Sequence, residues 1–162
     1  MKKGFTLIEL LIVITIIGTL ASVGSTSFLN AIKYTRDIKR IYDLNILERM
    51  LFTYKIINDT FPDINKWKEL EELLGFSEKG IRPPKPEDAY CYYISKDKKQ
   101  ALILAKKIEL PKNLKYSLNG KVNNLLKDAQ FKTGILGDGR DVKCSLDLIC
   151  GIKTMNYCVI AK

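Results

Sequence analysis

From Phe5 to Leu29 the chain carries one charged side chain, Glu9. About 18 or more apolar residues are enough to span a bilayer core. At 1.5 Å per residue this run reaches roughly 36 Å, against about 30 Å of hydrocarbon. Nothing else in the chain restricts the fold as strongly, because a helix of this kind has no place in the core of a small water-soluble domain. A cleaved secretory signal is the nearest rival. Such a signal has an apolar region of about 7–15 residues and a small-x-small cleavage site. Here the run is too long, and only Val23-x-Ser25 would serve as the site.

The glutamate needs an explanation. A carboxylate at the centre of a membrane helix costs about 2.5–3.5 kcal/mol on insertion scales, and such residues usually have a partner. In an intact chain Glu9 lies near one end of the run and can sit at the interface. The Gly4-Phe5 step just upstream offers a second reading. A cut between them creates a terminal amine with a pKa of about 7.7–8.0, mostly cationic at neutral pH. The helix then starts at its own positive dipole end, with a carboxylate one turn in. Glu9 of one copy can meet the terminal amine of another, and two buried charges become one pair.

The stretch Lys2-Lys3-Gly4-Phe5-Thr6-Leu7-Ile8-Glu9-Leu10-Leu11-Ile12-Val13 resembles the class III signal of type IV pilins and type II secretion pseudopilins. The resemblance is dense through the apolar run and architectural beyond it. It implies cleavage after Gly4 by a prepilin peptidase, N-methylation of Phe5 and a filament-docking role for Glu9. Gly18 matches a glycine often found in the first helix. One departure is that many members carry proline near the position of Thr26. Here Ser22, Gly24, Ser25, Thr26 and Ser27 occupy that stretch. Glycine weakens a helix by about 1 kcal/mol against alanine, far less than proline, so local melting of the helix is not implied as proline would imply it.

Beyond the run the helix continues. Ile38, Ile41, Leu44, Leu47, Leu51 and Tyr54 recur at three- and four-residue steps, with Lys39, Asp43, Arg49 and Lys55 on the other side. Asn58-Asp59 and Phe61-Pro62 stop it. Phe5 to Ile57 would form a rod of roughly 80 Å. A short helix follows at Asn65–Gly75, with Trp67, Leu70 and Leu74 on one face. The proline-rich stretch Ile81–Pro86 is a connector. Ala89–Ser95 and Gln100–Leu110 read as strands around the turn Lys96-Asp97-Lys98-Lys99, and Met155–Ala161 as a last strand. Asn123–Gln130 reads as another short helix.

The expected fold class is α+β: a long N-terminal helix, half transmembrane and half amphipathic, packed against a small antiparallel sheet as in the pilin fold. Residues 1–4 are the expected leader, 5–29 the transmembrane or filament-core helix, and 30–162 the head, which includes the outer half of the long helix.

The four cysteines are Cys91, Cys144, Cys150 and Cys158. An even count on the far side of a membrane suggests disulfides. Zinc is the rival, but there is no C-x-x-C pair and no histidine. Of three possible connectivities, the expected one joins Cys144 to Cys150 and Cys91 to Cys158. Lacking histidine, the chain has no Ser-His or Cys-His nucleophile, and no glycine-rich phosphate loop occurs. Glu71 and Glu72 are helix neighbours that splay apart, so they make no acid–base pair. In Leu136-Gly137-Asp138-Gly139-Arg140-Asp141, Asp138 and Asp141 are calcium candidates, since some secretion pseudopilins bind calcium in a C-terminal loop. Calcium wants six to eight oxygens, the EF-hand pattern is missing, and Arg140 sits between the two carboxylates. A plain turn is the expected reading, with no cofactor.

The formal charge is +9, falling by two without Lys2 and Lys3. Basic surfaces attract nucleic acid, anionic lipid or acidic polymers. The lysines are dispersed, however, and do not alternate with aromatic residues as in single-strand grooves. One tension remains. Lys33, Arg36, Lys39 and Arg40 follow the run, so the positive-inside rule does not favour an N-in orientation; the cysteines and the processing signal outweigh it.

The expectation is therefore a structural subunit, not an enzyme. It sits as a single pass in the inner membrane with its head outside, and then enters a surface or periplasmic filament. Its partners are other copies or related subunits, the prepilin peptidase and an inner-membrane assembly platform; DNA is a weaker candidate. A type IV pilus-like filament is the first reading, with a type II secretion pseudopilin or a competence pilus subunit as alternatives. From another class, a monomeric bitopic protein displaying a binding module would keep residues 1–4.

Overall fold

The computed structural model describes residues 4–76, 80–110, 113, 120–121, 126, 128–145, 148–151 and 155–161. The chain opens with α1, Leu7–Asn58, a helix of 52 residues and about 78 Å. No proline interrupts it. Asp59 ends it in the left-handed conformation, at φ 62°, after which the buried Phe61 and Pro62 turn the chain back.

The outer half of α1 buries a stripe that is rotated from the expected one. Leu44, Leu47 and Leu51 are fully buried, and Ile41 packs at the edge of the core. Ile38, expected inside, is exposed, while Asp43, expected outside, is buried. Toward the stalk the stripe runs through Arg40 and Asp37 instead, both fully buried. Positions 37, 40, 44, 47 and 51 keep the three- and four-residue steps of one helix face, and ion pairing lets charged residues occupy its lower end.

Helix α2 spans Trp67–Leu74 and buries Trp67, Leu70 and Glu71. Gly75 closes it at φ 72°, its N–H returning to the Glu71 carbonyl, a left-handed cap that favours glycine. The strands are β1 (Ala89–Ile94), β2 (Ala101–Ala105), β3 (Gly120–Lys121), β4 (Gln130–Leu136), β5 (Ile149–Cys150) and β6 (Tyr157–Ala161). A four-stranded antiparallel sheet has the order β4-β1-β2-β6; β3 and β5 form a separate pair.

Both faces of the main sheet are covered. Tyr90, Tyr92, Ile94 and Ile103 face α1 and α2 together with Phe61 and Trp67. Cys91, Tyr93, Leu102, Leu104 and Cys158 face a second layer built from Leu126, Ala129, Cys144 and Cys150. This accounts for the unbroken apolar runs AYCYYI and ALILA, since strands buried on both sides lose the polar alternation of a half-exposed sheet.

The second and third predicted strands are too long. The second ends at Ala105 because Lys107 is left-handed at φ 62°; the third begins at Tyr157, after Met155 at φ 54°. β4 replaces the end of the predicted Asn123–Gln130 helix; residues 123–125 and 127 lie outside the described residues, as do leader residues 1–3. Gly134 gives β4 room that a side chain would deny it: a Cβ there would lie 2.9 Å from the carbonyls of Tyr90 and Val142. Gly137 is tighter still, with a would-be Cβ 2.0 Å from the Lys85 carbonyl, and so seats the proline-rich connector against the β4 turn.

The disulfides join Cys91 to Cys144 and Cys150 to Cys158, not Cys91 to Cys158 and Cys144 to Cys150 as expected. Cys91 faces Leu104 across β1–β2, and Leu104 faces Cys158 across β2–β6. Two strand spacings separate Cys91 from Cys158 by about 9–10 Å, beyond the roughly 7 Å limit between bridged Cα atoms. Each buried cysteine instead reaches up from the sheet into the covering layer.

Candidate functional site

Gly4, Phe5 and Thr6 precede the first helical turn and are exposed, in no regular structure. The Gly4–Phe5 bond is therefore presented on non-helical chain. Thr6 is the N-cap of α1, and Glu9 sits at the third helical position. The Glu9 N–H donates to Thr6 Oγ1 at 3.3 Å, while the Thr6 N–H and hydroxyl donate to Glu9 Oε2 at 2.9 and 2.6 Å. This is a capping box, which satisfies N–H groups that a helix start leaves without partners. Within one chain, then, Glu9 is held by Thr6. The T-x-x-E spacing that signals this was present in the sequence, and Thr6 is a site residue that the sequence reading did not single out.

The described side chains from Phe5 to Leu29 are exposed, among them Phe5, Leu7, Ile8, Leu10 and Leu20. By length and composition α1 can cross a membrane. Its hydroxyls are satisfied within the helix: Thr15 donates to the Leu11 and Ile12 carbonyls and Thr19 to that of Ile16. Such bonds matter in lipid, where no water is available to polar groups. Farther along α1, Tyr34, Ile38, Tyr42, Phe52 and Ile56 are exposed, and Phe52 borders Ile160 and Ala161 of β6. Asn45 and Arg49 stand between Tyr42 and Phe52 in this stepping, so polar residues divide the exposed apolar side chains into a lower group (Tyr34, Ile38, Tyr42) and an upper one (Phe52, Ile56).

Stalk and head meet at an ionic junction. Arg40 Nη1 donates to Asp37 Oδ1 at 2.7 Å, and its Nη2 to Asp88; all three side chains are buried. Asp37 also accepts from the backbone N–H groups of Glu109 and Leu110, each at 2.8 Å, and from Asn113 Nδ2 at 2.9 Å. Arg36 grips Glu109 with two bonds of 2.6 Å, and Lys85 lies 3.2 Å from the same carboxylate. These contacts hold the Glu109 pKa down at about 2 against burial. Nearby, Asp43 accepts from Lys39 and from the Tyr90 hydroxyl, each at 2.8 Å. Burial raises the Asp43 pKa despite both bonds, and pushes the Tyr90 hydroxyl far above its ordinary range. Sequence reasoning placed Arg36 and Arg40 only in a charge count. The long-range partners of Arg36 and Arg40 lie 73 and 48 positions away, and no local pattern announces them.

In the candidate calcium loop the Asp138 carboxylate is engaged by Arg140. The Arg140 N–H donates to Asp138 Oδ1 at 3.1 Å, and its Nε to Oδ2 at 2.7 Å. Asp141 bridges to Ile135 through its backbone. No cluster of three potential ligands occurs among the described residues. The stretch is a turn closed by its own arginine.

Residues 1–25 match the model of the prokaryotic N-terminal methylation motif. The chain is 35% identical over 68 residues to type II secretion system core protein G of Escherichia coli (strain K12), covering 42% of this chain and 47% of that protein. It is 31% identical over 101 residues to the core protein G of Dickeya chrysanthemi, covering 59% and 62%. In each case the chain spans less than two thirds of the relative's length. No solved structure gives a significant match. The chain thus joins a prokaryotic N-terminal methylation motif to an exposed apolar stalk, and it is similar over part of its length to type II secretion system core protein G of two bacteria.

Proposed function

We propose that this chain is a pseudopilin, a filament subunit of a type II secretion system. The carrying observation is the stalk: an apolar helix of membrane length whose described side chains are exposed, with one carboxylate in its first turn. Both relatives reported above are secretion core proteins, which favours this reading over the type IV pilus expected first. The pilus reading keeps one supporting observation, a C-terminal half stapled by two disulfides.

The sequence of events is as follows. The chain sits in the inner membrane with residues 1–4 inside and the head outside. Prepilin peptidase cuts after Gly4, and Phe5 is methylated. The assembly platform then raises the subunit into a filament, where apolar stalks pack on one another and leave lipid without meeting water. The exposed Tyr34, Ile38 and Tyr42 prolong that packing surface to the base of the head. Glu9 exchanges its Thr6 contacts for the terminal amine of a neighbouring copy. A buried ion pair adds little net stability, but a misplaced copy strands a carboxylate in apolar surroundings, so the pair sets register.

Substituting Glu9→Ala tests this. Membrane insertion and head folding should persist while filaments disappear from electron micrographs of cells expressing the variant. Normal filaments from that variant would remove the role given to Glu9.

A further inference from the structure

The two faces of the main sheet are held in different ways. The front, against α1 and α2, carries large buried side chains, among them Trp67, Tyr90, Tyr92 and Phe61, and no cysteine. The back holds all four cysteines in one cluster with Tyr93, Leu102 and Leu104. Each bridge has one sulfur on the sheet and one on the layer above it: Cys91 of β1 joins Cys144, and Cys158 of β6 joins Cys150 of β5. The chain leaves the main sheet at β4, one edge, and returns at β6, the opposite edge. Between them, residues 142–145 and 148–151 form a strap whose Val142, Cys144, Leu148 and Cys150 pack on the back face.

The strap has modest means of its own to stay there. The Val142 N–H donates to the Gly134 carbonyl and the Tyr93 hydroxyl to the Ser145 carbonyl, each at 3.0 Å. Strand β5 is paired with β3 and not with the main sheet. Val142 and Leu148 are only half-buried, and Lys143 and Ser145 are exposed. Ordering each residue costs conformational entropy, and two half-buried apolar side chains offset little of it. A disulfide lowers that cost by confining the open state. A reduced cysteine remains a small apolar group, so reduction removes the tether and leaves the packing chemistry as it was.

We propose that the strap is held by redox chemistry: with both bridges formed it covers the back of the sheet, and with both reduced it lifts off Tyr93, Leu102 and Leu104 while the outer half of α1, α2 and the front of the sheet stay folded. A bridge forms when one cysteine thiolate attacks the disulfide of an oxidant and the second cysteine displaces that oxidant from the mixed disulfide. One S–S bond forms in the head as one breaks in the oxidant. Two electrons and two protons pass to the oxidant, which leaves as a dithiol. A dithiol reductant runs the same exchange backwards. Compartments beyond the cytosol are oxidising, so the strap closes once the head stands outside the membrane; that consequence alone rests on the membrane-inserted reading above.

The test uses the full chain in detergent micelles and its variant Cys144→Ala, Cys150→Ala, which breaks both bridges without touching the sheet. Cys91 and Cys158 then stand two strand spacings apart and cannot pair. Alkylation by iodoacetamide and amide hydrogen exchange are followed by mass spectrometry. In the variant, Cys91 and Cys158 should react as they do in the guanidinium-unfolded chain. The amides of Val142 and Gly151, both bonded in the fold, should exchange about a hundredfold faster than in the oxidised wild type. Those of residues 44–51 and 101–105 should keep the wild-type rate. Wild type purified and kept in dithiothreitol should show the same exchange pattern. Unreactive Cys91 and Cys158 with unchanged Val142 and Gly151 amides would mean that the strap stays down without its bridges, and would overturn the proposal. Exchange of residues 44–51 together with the strap would overturn it as well, since the bridges would then hold the whole head. If the variant alone fails to fold, the reduced wild type, which keeps every side chain, decides between these outcomes. None of them touches the filament reading, which Glu9→Ala tests separately.

Discussion

The two halves of α1 obey opposite rules. From Leu7 to Leu29 the described side chains are exposed and belong to neither core cluster. From Asp37 to Leu51 the same helix lies under a sheet that is buried on both faces. On the function proposed above, the inner half is specified by what lies outside the molecule, first lipid and then other stalks. The outer half is specified by its own head. In one continuous helix, a mutation in either half should leave the other's property intact.

That separation can be broken or sharpened by experiment. The largest effect is expected at Arg40. Arg40→Ala strands Asp37 and Asp88 in the interior, and removing one partner of a buried ion pair costs about 3–5 kcal/mol. Thermal unfolding of the head should shift down by many degrees while membrane insertion is unaffected. A melting temperature within a degree or two of the wild type would mean that the junction does not hold the head.

Second come the disulfides. The bridge between Cys91 and Cys144 spans 53 positions and that between Cys150 and Cys158 spans 8. Loop entropy assigns them about 4 and about 2.6 kcal/mol respectively. Denaturant midpoints of the two double-serine variants should fall in that order; the reverse order would contradict the assigned connectivity or the entropic account of it.

The smallest effect concerns acid. The pKa of Glu109 in the fold, about 2, lies below its ordinary 4.5. Its contribution is thus fully present above pH 4.5 and is lost as the pH falls toward 2. A melting-temperature profile over that window should be steeper for the wild type than for Glu109→Gln. Coincident slopes would show that the bidentate Arg36 contact contributes nothing to the head.

Much of this molecule is legible in its sequence, and the difference between the halves explains which parts. The stalk is announced by composition alone, because its apolar character does not depend on contacts with the rest of the chain. β1 and β2 are legible because double-sided burial leaves their runs uniformly apolar. β4 is harder to read: Gln130, Lys132 and Gly134 fall at every second position, but an interior glycine counts against a strand, and the pairing with β1 depends on that glycine because distant carbonyls leave no room for a side chain. The burial of Asp37 and Arg40 is equally hidden. A helix wheel treats both as surface, and only the arrival of Asp88 and of the backbone at Glu109 and Leu110 makes their burial favourable. The disulfide partners escaped for a related reason, since they depend on how many strands separate two cysteines. At the N-terminus the motif was plain, while the Thr6–Glu9 box that holds the carboxylate within one chain was visible as spacing and went unread.

The central claim is that the stalk begins at a freshly made terminal amine that meets Glu9 of an adjoining copy. Intact-mass and N-terminal analysis of the protein recovered from cellular filaments tests it most directly. The account predicts a chain starting at Phe5 with one added methyl group. Filament subunits that still begin at Met1 would contradict it.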